Sequence, residues 1–343
     1  MTTAYAFVPS PLHIYPAHPE HPSRFDLLTA RLDSFGAQKL DVKPATRDEV
    51  ARVHHPTLIN SLEDICKQAP AIIDYAPTFV THTSFDDALL ASGGTLSCMR
   101  AVLSGSARNA FALVRPPGHH AEPAHSMGFC IFNNIAIAAG DALVRADGHA
   151  ERPLQRIAIV DYDAHHGNGT QATFMDDERI AYCSTHQWGI YPGTGWYEEA
   201  PHARKRIVNV PLPADSGDQS YERIAAEIFA PFIQSFEPEM ILVSAGFDAH
   251  WNDPITSLGL SSAGFYMLSK KLVDLAEEHC GGKIVFVLEG GYDATNLANG
   301  AAAVFAALMD KPFIDPGDAS PRKEADASEM IEKICERHGF IGS

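Results

Sequence analysis

The sequence contains few cysteines, and they are too far apart to form a compact metal site. The six cysteines among 343 residues are Cys66, Cys98, Cys130, Cys183, Cys280 and Cys335. Small disulfide-stabilised domains and cysteine zinc sites both need closely spaced cysteines. We therefore expect neither, and the thiols should be reduced and mostly buried.

Positive charge and long apolar runs are also scarce. The chain has 26 Lys and Arg against 43 Asp and Glu, a net charge of −17, which opposes partners that present a phosphate backbone or an anionic membrane. No run approaches the roughly 18 apolar residues of a membrane-spanning helix. The N-terminal sequence MTTAYAFVPSPLH also lacks the pattern of a secretion signal. These absences predict a soluble cytoplasmic protein with no nucleic-acid or membrane partner, and they leave a homo-oligomer open.

Short runs rich in Val and Ile alternate with helical patterns, which predicts a parallel sheet wrapped by helices. The expected strands are 110–115, 156–161, 180–184, 206–212, 240–245 and 283–288, with 3–8 as an edge strand. A helix over 262–279 should begin at Ser261 or Ser262 and stop at Gly281. Pro231 should kink or break a second helix over 218–236.

No linker divides the chain, which favours one domain over residues 1–343. From about residue 315 the composition turns polar, and an amphipathic pattern follows at 330–337. We expect residues 315–343 to form a C-terminal appendage on that domain.

Two of the predicted strands end in residues that bind metals. Asp161, Asp163 and His165 alternate at the end of one strand, and Asp248 follows another. Parallel strands place their carboxyl ends at one edge, where α/β proteins bind ligands. Asp163, His165 and Asp248 would leave a coordination position open, as catalytic metals require. Each aspartate alone is better explained as a turn residue, so the coincidence carries the inference.

Two further segments offer acid–base and donor groups. His119 and His120 follow two prolines and a glycine, which fix a pair of imidazoles suited to proton transfer beside a metal. Tyr292, in the sequence EGGYD, could donate a hydrogen bond to a developing oxyanion. The chain has 17 histidines in all, and most should be surface or structural residues.

Together these motifs resemble the zinc-dependent histone deacetylase and acetylpolyamine amidohydrolase family, on its class II side. The matching segments are RPPGHH, MGFCIFNN, VDYDAHHGNGTQ, YPGTG, SAGFDAH and LEGGYD, in the family's order over about residues 18–300. The resemblance implies an α/β fold: the three-layer arginase/deacetylase fold with an eight-stranded parallel sheet. It also implies hydrolysis of an acylated amine, one catalytic Zn²⁺ and a structural K⁺.

The same resemblance implies roles for individual residues. Asp163, His165 and Asp248 match the zinc ligands. Catalytic positions are matched by His119, His120 and Tyr292, with Asp161 and Asn168 orienting the two histidines. One monovalent cation site is matched by Asp161, Asp163, His165, Ser184 and Thr185, and a second by Phe174, Asp177 and Ile180. The substrate tunnel is matched by Gly128, Phe129, Tyr191, Ile255, Gly290 and Gly291, and the exit channel by Arg24.

The chemistry of the side chains agrees with a division of labour between the two histidines. His120 faces the neutral amide of Asn168 and should be the general base, then the general acid. His119 faces the carboxylate of Asp161 and should keep its proton, acting electrostatically.

The sequence leaves alternatives for the number of metal ions, the substrate and the presence of catalysis. Dimanganese ureohydrolases need carboxylates where this chain has Gly167 and His250, so one metal is favoured. Acylated lysine in proteins or peptides, or a similar acylated amine, is the expected substrate. No acid aligns with the family's rim aspartate, around Pro77 or Thr78. An acetylpolyamine deacetylase is the alternative, although Ile255 stands where the eukaryotic polyamine branch has an acid. A non-catalytic acyl-ligand binder is more remote, because it would not need the full catalytic set.

Overall fold

A computed structural model describes residues 2–144 and 152–340. Its strands are β1 (Thr3–Val8), β2 (Gln38–Lys39), β3 (Ala71–Ile72), β4 (Phe79–Val80), β5 (Asn109–Val114), β6 (Ile157–Asp161), β7 (Ile180–Gln187), β8 (Ile207–Leu212), β9 (Met240–Ala245) and β10 (Ile284–Leu288). Eight of them form a parallel sheet in the order β2-β1-β5-β10-β9-β6-β7-β8, and β3 pairs with β4 in an antiparallel hairpin.

Helices cover both faces of the sheet. They are α1 (Asp26–Thr29), α2 (Leu32–Phe35), α3 (Arg47–Val50), α4 (Pro56–Lys67), α5 (Ser84–Leu103), α6 (Asn134–Val144), α7 (Asn168–Phe174), α8 (Asp218–Ile224), α9 (Ala230–Phe236), α10 (Ser262–Cys280), α11 (Ala294–Leu308) and α12 (Ser328–His338). Short 3₁₀ turns lie at Pro22–Phe25 and Pro201–Ala203. No described helix is long and apolar enough to cross a membrane.

The strands divide the core into two layers. Along β9, Ile241 and Val243 pack among α8–α11, whereas Met240 and Leu242 pack among α4–α6 on the opposite face. Successive residues of a strand point to opposite faces, and every residue of β9 is buried. A central strand that is buried on both faces therefore requires a continuous run of apolar residues. The predicted three-layer α/β fold is confirmed.

Some local predictions needed correction. The strand at Thr3–Val8 is not the edge, because the two-residue β2 pairs outside it. Pro231 does not break its helix. Instead, a π-helical turn at Ala225–Phe229 joins α8 to α9 just before the proline. Since Pro231 has no N–H to donate, a locally widened turn accommodates it.

The C-terminal segment is tied to the main sheet and its loops. Ile331 and Ile334 of α12 lie in the core layer that includes β8. Before this helix, the Asp318 carboxylate accepts hydrogen bonds from the Ser262 backbone N–H (3.1 Å) and hydroxyl (2.6 Å) and lies 3.1 Å from His250 Nε2. Arg322 donates to the carbonyls of Trp251 and Leu258, both at 2.9 Å. The segment therefore braces the loop that follows β9.

Candidate active site

The four central strands of the sheet carry the residues of the candidate site. β5, β10, β9 and β6 are neighbours in that order. His119 and His120 lie in the loop after β5, Tyr292 follows β10, Asp248 follows β9, and Asp163 and His165 follow β6. Because the strands are parallel, all these loops leave the same edge of the sheet.

Asp163, His165 and Asp248 form a buried cluster. One donor atom from each lies within 4.8 Å of the others, and none of the residues is more than 9% exposed. His165 Nδ1 is 2.9 Å from Asp248 Oδ2 and 3.2 Å from Asp163 Oδ1. The remaining carboxylate oxygens accept backbone N–H groups, from Gly290 to Asp163 (2.8 Å) and from Ala164 to Asp248 (3.0 Å).

Glycines make room for these carboxylates. A Cβ at Gly246 would lie 2.0 Å from Asp163 Oδ2, and one at Gly290 would lie 2.4 Å from Asp248 Oδ2. Any side chain at either position would displace a carboxylate. The carboxylates of the cluster can therefore pack as they do only because positions 246 and 290, in SAGFD and LEGGYD, are glycine.

The electrostatics of the cluster suit a cation. Burial disfavours charge on Asp163, but nearby His119 and His165 hold the pKa of that carboxyl well below its usual range. Burial and the charge of Asp163 raise the pKa of Asp248. Burial would lower the pKa of His165, yet hydrogen bonds and charge from Asp163 and Asp248 raise it to about 10. Two carboxylates and an imidazole are a donor set that zinc prefers, and a bound divalent cation replaces the histidine proton.

The two histidines after β5 have contrasting partners. His119 Nδ1 lies 3.1 Å from Asp161 Oδ2, and its Nε2 lies 3.8 Å from Asp163 Oδ1. Burial would lower the pKa of His119, but Asp163 and Asp161 raise it to about 10. His120 Nδ1 instead lies 2.8 Å from Asn168 Oδ1. Burial and the charges of His119 and His165 hold the pKa of His120 well below its usual value.

The protonation of His120 follows from the orientation of Asn168. The Asn168 amide N–H₂ donates to Glu122 Oε1 at 2.9 Å, so its oxygen faces the imidazole. His120 therefore carries its proton on Nδ1 and donates it to Asn168. The other ring nitrogen, Nε2, keeps a free lone pair.

Glu289 is a buried carboxylate for which sequence reasoning gave no role. Its Oε2 accepts the backbone N–H groups of Gly118 (2.7 Å) and His119 (3.1 Å), and its Oε1 accepts the Ser244 hydroxyl (3.0 Å). Burial raises its pKa to about 7 against the opposing effect of His119. The residue joins the loop after β5 to β9 and β10. The sequence feature that could have indicated this role is the position of Glu289 at the start of the EGGYD segment, directly after a strand.

Tyr292 stands over a buried arginine. The guanidinium carbon of Arg24 lies 5.1 Å from the Tyr292 ring centroid, and Arg24 Nη2 donates to the Glu289 carbonyl at 2.5 Å. Asp253 Oδ2 accepts the Tyr292 backbone N–H at 2.8 Å. Burial and Asp248 raise the pKa of Tyr292 well above its usual value, so the phenol keeps its proton and remains a donor.

A cavity of about 230 Å³ meets the cluster at His165. Its lining is mostly apolar: Pro19, Ala76, Pro77, His120, Gly128, Phe129, His165, Tyr191, Ile255 and Tyr292. Four residues predicted for the tunnel are in this set. Gly290 and Gly291 are not, because Gly290 packs behind the metal cluster and Gly291 packs against Phe247. Arg24, which was predicted for an exit channel and not for the tunnel, is buried against the Tyr292 ring, and its role in such a channel stays a prediction.

An acid to which the sequence assigned no role, Asp74, contacts the lining of the cavity. Asp74 lies in the hairpin between β3 and β4, and its Oδ2 accepts the Gly128 backbone N–H at 3.1 Å. The neighbouring Phe129 N–H donates to Thr78 Oγ1 at 2.9 Å. Gly128 and Phe129 both have positive φ, +58° and +68°, a conformation that is costly for phenylalanine. The prediction that no acid aligns near Pro77 or Thr78 concerned another position, and Asp74 places a carboxylate against Gly128 and Tyr191, two residues of the cavity lining.

The residues predicted to bind monovalent cations fall into two groups. Asp161, Ser184 and Thr185 are buried neighbours on β6 and β7, and the Thr185 hydroxyl lies 3.5 Å from the Asp161 carbonyl. The second predicted site does not fit a cation. The carbonyls of Phe174, Asp177 and Ile180 all accept hydrogen bonds from Arg206, which stands where the ion was expected.

An ion pair that sequence reasoning missed organises the N-terminal loop. Arg115 is fully buried, and its Nε and Nη2 hold both carboxylate oxygens of Glu20 at 2.6 and 2.8 Å. Its N–H groups also bind the carbonyls of Pro9 (2.7 Å), Ser10 (2.9 Å) and His13 (3.0 Å). Glu20 in turn accepts from Arg24 at 3.2 Å. A chain of contacts thus runs from the first loop to Tyr292.

This fold and this constellation define a member of the histone deacetylase family. Residues 18–308 match the histone deacetylase domain, and the chain belongs to that family. The chain is 37% identical to a protein named histone deacetylase 10, chloroplastic, of Oryza sativa, covering 98% of this chain and 81% of that protein. A probable deacetylase of Archaeoglobus fulgidus is 41% identical over 80% of this chain and 77% of that protein. The crystal structure of the HDA15 HD domain superposes with a TM-score of 0.85 at 29% identity, covering 99% and 95% of the two chains.

Proposed function

We propose that this protein is a zinc-dependent deacetylase that hydrolyses acyl-lysine in proteins or peptides, or a similar acylated amine. The observation that carries the proposal is the Asp163–His165–Asp248 cluster at the end of an apolar cavity, with His120 and Tyr292 on the cavity wall. The mostly apolar lining of the cavity suits an alkyl chain, and His120, His165 and Tyr292 supply polar groups within that lining.

The cation held by Asp163, His165 and Asp248 would polarise the acyl carbonyl and make water more acidic at that point. The residues of the chain provide the proton transfers. His120 accepts a proton from the attacking water at its free Nε2 and then delivers it to the leaving amine. His119 keeps its proton beside Asp161 and stabilises negative charge. Tyr292 donates its phenolic hydrogen to the oxyanion on the former carbonyl.

A structural K⁺ is part of the proposal at one position only. Asp161, Ser184 and Thr185 are buried on β6 and β7 next to the cluster residues Asp163 and His165, which supports a monovalent cation there. It would fix the β6–β7 edge of the site rather than take part in chemistry.

The test is the release of acetate from an acetyl-lysine peptide by the full chain loaded with zinc. We expect turnover, and we expect hydroxamates to inhibit by binding the metal. No release of the corresponding carboxylate by a zinc-loaded, folded chain from acetyl-lysine, longer acyl-lysine or acetylpolyamine substrates would contradict the proposal.

An acetylpolyamine is a second candidate substrate, favoured by one observation. The Asp74 carboxylate contacts two residues of the cavity lining, at 3.5 Å from the Tyr191 hydroxyl and 3.1 Å from the Gly128 N, and a carboxylate there would attract a cationic amine. The apolar Ile255 in the same lining favours lysine in a peptide. Side-by-side kcat/KM values for acetyl-lysine peptides and acetylspermidine decide between them.

A further inference from the structure

Backbone carbonyls after α7 converge on one arginine side chain. Nη1 of Arg206 donates to the carbonyl oxygens of Phe174 (2.9 Å), Asp177 (3.0 Å) and Ile180 (3.0 Å). Nη2 of the same guanidinium donates to the Met175 carbonyl. Four carbonyls therefore surround one cationic group, and we call them the carbonyl cage.

The local backbone explains why these oxygens point inward. The Asp177 N–H donates to the Phe174 carbonyl and the Ile180 N–H to the Asp177 carbonyl, both at 3.1 Å, forming two consecutive turns. Phe174 is the last residue of α7, and the final carbonyls of a helix lack partners within it. The Phe174 and Met175 carbonyls also lie at the negative end of the helix dipole. The loop thus concentrates negative potential at one point.

The cage has more acceptors than a guanidinium nitrogen has hydrogens. Nη1 carries two hydrogens, yet three carbonyls lie within 3.0 Å of it. Rings of backbone carbonyls otherwise coordinate spherical cations in proteins. We propose that the guanidinium of Arg206 permanently replaces a monovalent cation in the carbonyl cage, so that this part of the site needs no ion.

Because the guanidinium belongs to the protein chain, it cannot dissociate from the cage as an ion would. Arg206 directly precedes β8, and its carbonyl accepts the Tyr182 N–H of β7 at 2.7 Å. The caged loop leads from α7, where Asn168 faces His120, to β7, where Ser184 lies beside Asp161. Arg206 therefore fixes one side of the candidate site, and this inference is independent of the substrate.

The test compares thermal unfolding in KCl and in choline chloride at equal ionic strength, which removes general screening as a cause. The variant is Arg206→Ala, which opens the cage. Arg206→Lys keeps a compact charge with three donors. Arg179→Ala is the matched control, because Arg179 binds the Asp177 carboxylate at 2.7 Å from the same loop and its loss removes the same charge without opening the cage.

For Arg206→Ala we expect K⁺ to raise the unfolding midpoint by about 2–4 °C more than it does for the wild type. Arg206→Lys and Arg179→Ala should respond to K⁺ as the wild type does. An Arg206→Ala response equal to that of the wild type would overturn the inference. A second measurement, on the wild type alone, counts bound Rb⁺ per chain. We expect at most one ion, and two would overturn the inference whatever the variants do.

Neither measurement uses deacetylase activity. A chain that hydrolyses acetyl-lysine but binds two Rb⁺ ions would keep the proposed function and lose this inference. A chain with a K⁺-responsive Arg206→Ala variant but no hydrolysis would do the reverse.

Discussion

The buried Arg115–Glu20 pair gives a prediction whose magnitude can be worked from the structure. Burial would raise the pKa of Glu20, but Arg115 lowers it to about 2 from 4.5. That difference corresponds to about 3 kcal/mol of stabilisation of the charged form. Because this pKa is depressed, the stabilisation is present above pH 4.5 and is lost as the pH falls toward 2. Arg115→Met leaves Glu20 buried with Arg24 at 3.2 Å and His13 at 3.7 Å but without its bidentate partner, and should cost about 3–5 kcal/mol in the free energy of unfolding.

The assay is urea denaturation at pH 7 of Arg115→Met, Glu20→Gln and the double variant. Glu20→Gln should restore part of the stability lost in Arg115→Met, since it removes the unpaired charge. Arg108→Met is the control, because the Arg108–Glu277 pair is exposed and should be worth less than about 1 kcal/mol. A cost below about 1 kcal/mol for Arg115→Met, or no recovery in the double variant, would refute the reasoning.

The remaining predictions concern the site and its supports. Asn168→Asp places a carboxylate on His120, raises the pKa of that imidazole, and should move the acid limb of the kcat/KM profile to higher pH; an unmoved limb would count against His120 as the base. Tyr292→Phe should lower kcat by about 10²–10³-fold while the zinc content stays constant, and an unchanged kcat would exclude the phenol as oxyanion donor. Burial lowers the pKa of His54 to about 4, so its contribution to stability should disappear as the pH falls from 6.5 toward 4. His54→Gln should make the free energy of unfolding less dependent on pH between 6.5 and 4, as measured by denaturation at several pH values. A substitution of the exposed His125, His125→Gln, should not. Equal pH slopes of the free energy for the two variants would contradict the lowered pKa of His54.

The sequence predicted the parts of the site that depend on strand ends. Asp163, His165 and Asp248 follow apolar strands directly, so the order of a parallel sheet is enough to bring them to one edge. The same holds for His119 and Tyr292. Each of these residues lies a few positions after the end of its strand, and so short a spacing can be recognised in the sequence.

Contacts between distant segments could not be predicted in this way. Arg115 and Glu20 are 95 positions apart, and no pattern in either segment indicates the other. Asp74 meets the cavity lining because the β3–β4 hairpin packs against Gly128, a contact between segments 54 positions apart that no local pattern indicates. Arg206 precedes β8, and its side chain places the guanidinium in the carbonyl cage before the neighbouring strand β7. The family resemblance suggested an ion at that place.

The glycines were only partly understood from the sequence. The family resemblance implied that Gly290 and Gly291 border the tunnel, and the residues themselves suggested that these glycines let Tyr292 approach the metal. The structure shows a further reason for a glycine at position 290. Gly290 is small because two carboxylates approach it, and its N–H is needed by Asp163.

The central claim is tested most directly by titrating metal-free protein with zinc while acetate release from an acetyl-lysine peptide is measured. We predict that activity is absent without metal, rises linearly and saturates at about one zinc per chain, and that Asp248→Ala neither binds zinc tightly nor recovers activity. Full activity in the metal-free protein, or an Asp248→Ala variant that binds and turns over like the wild type, would contradict the account.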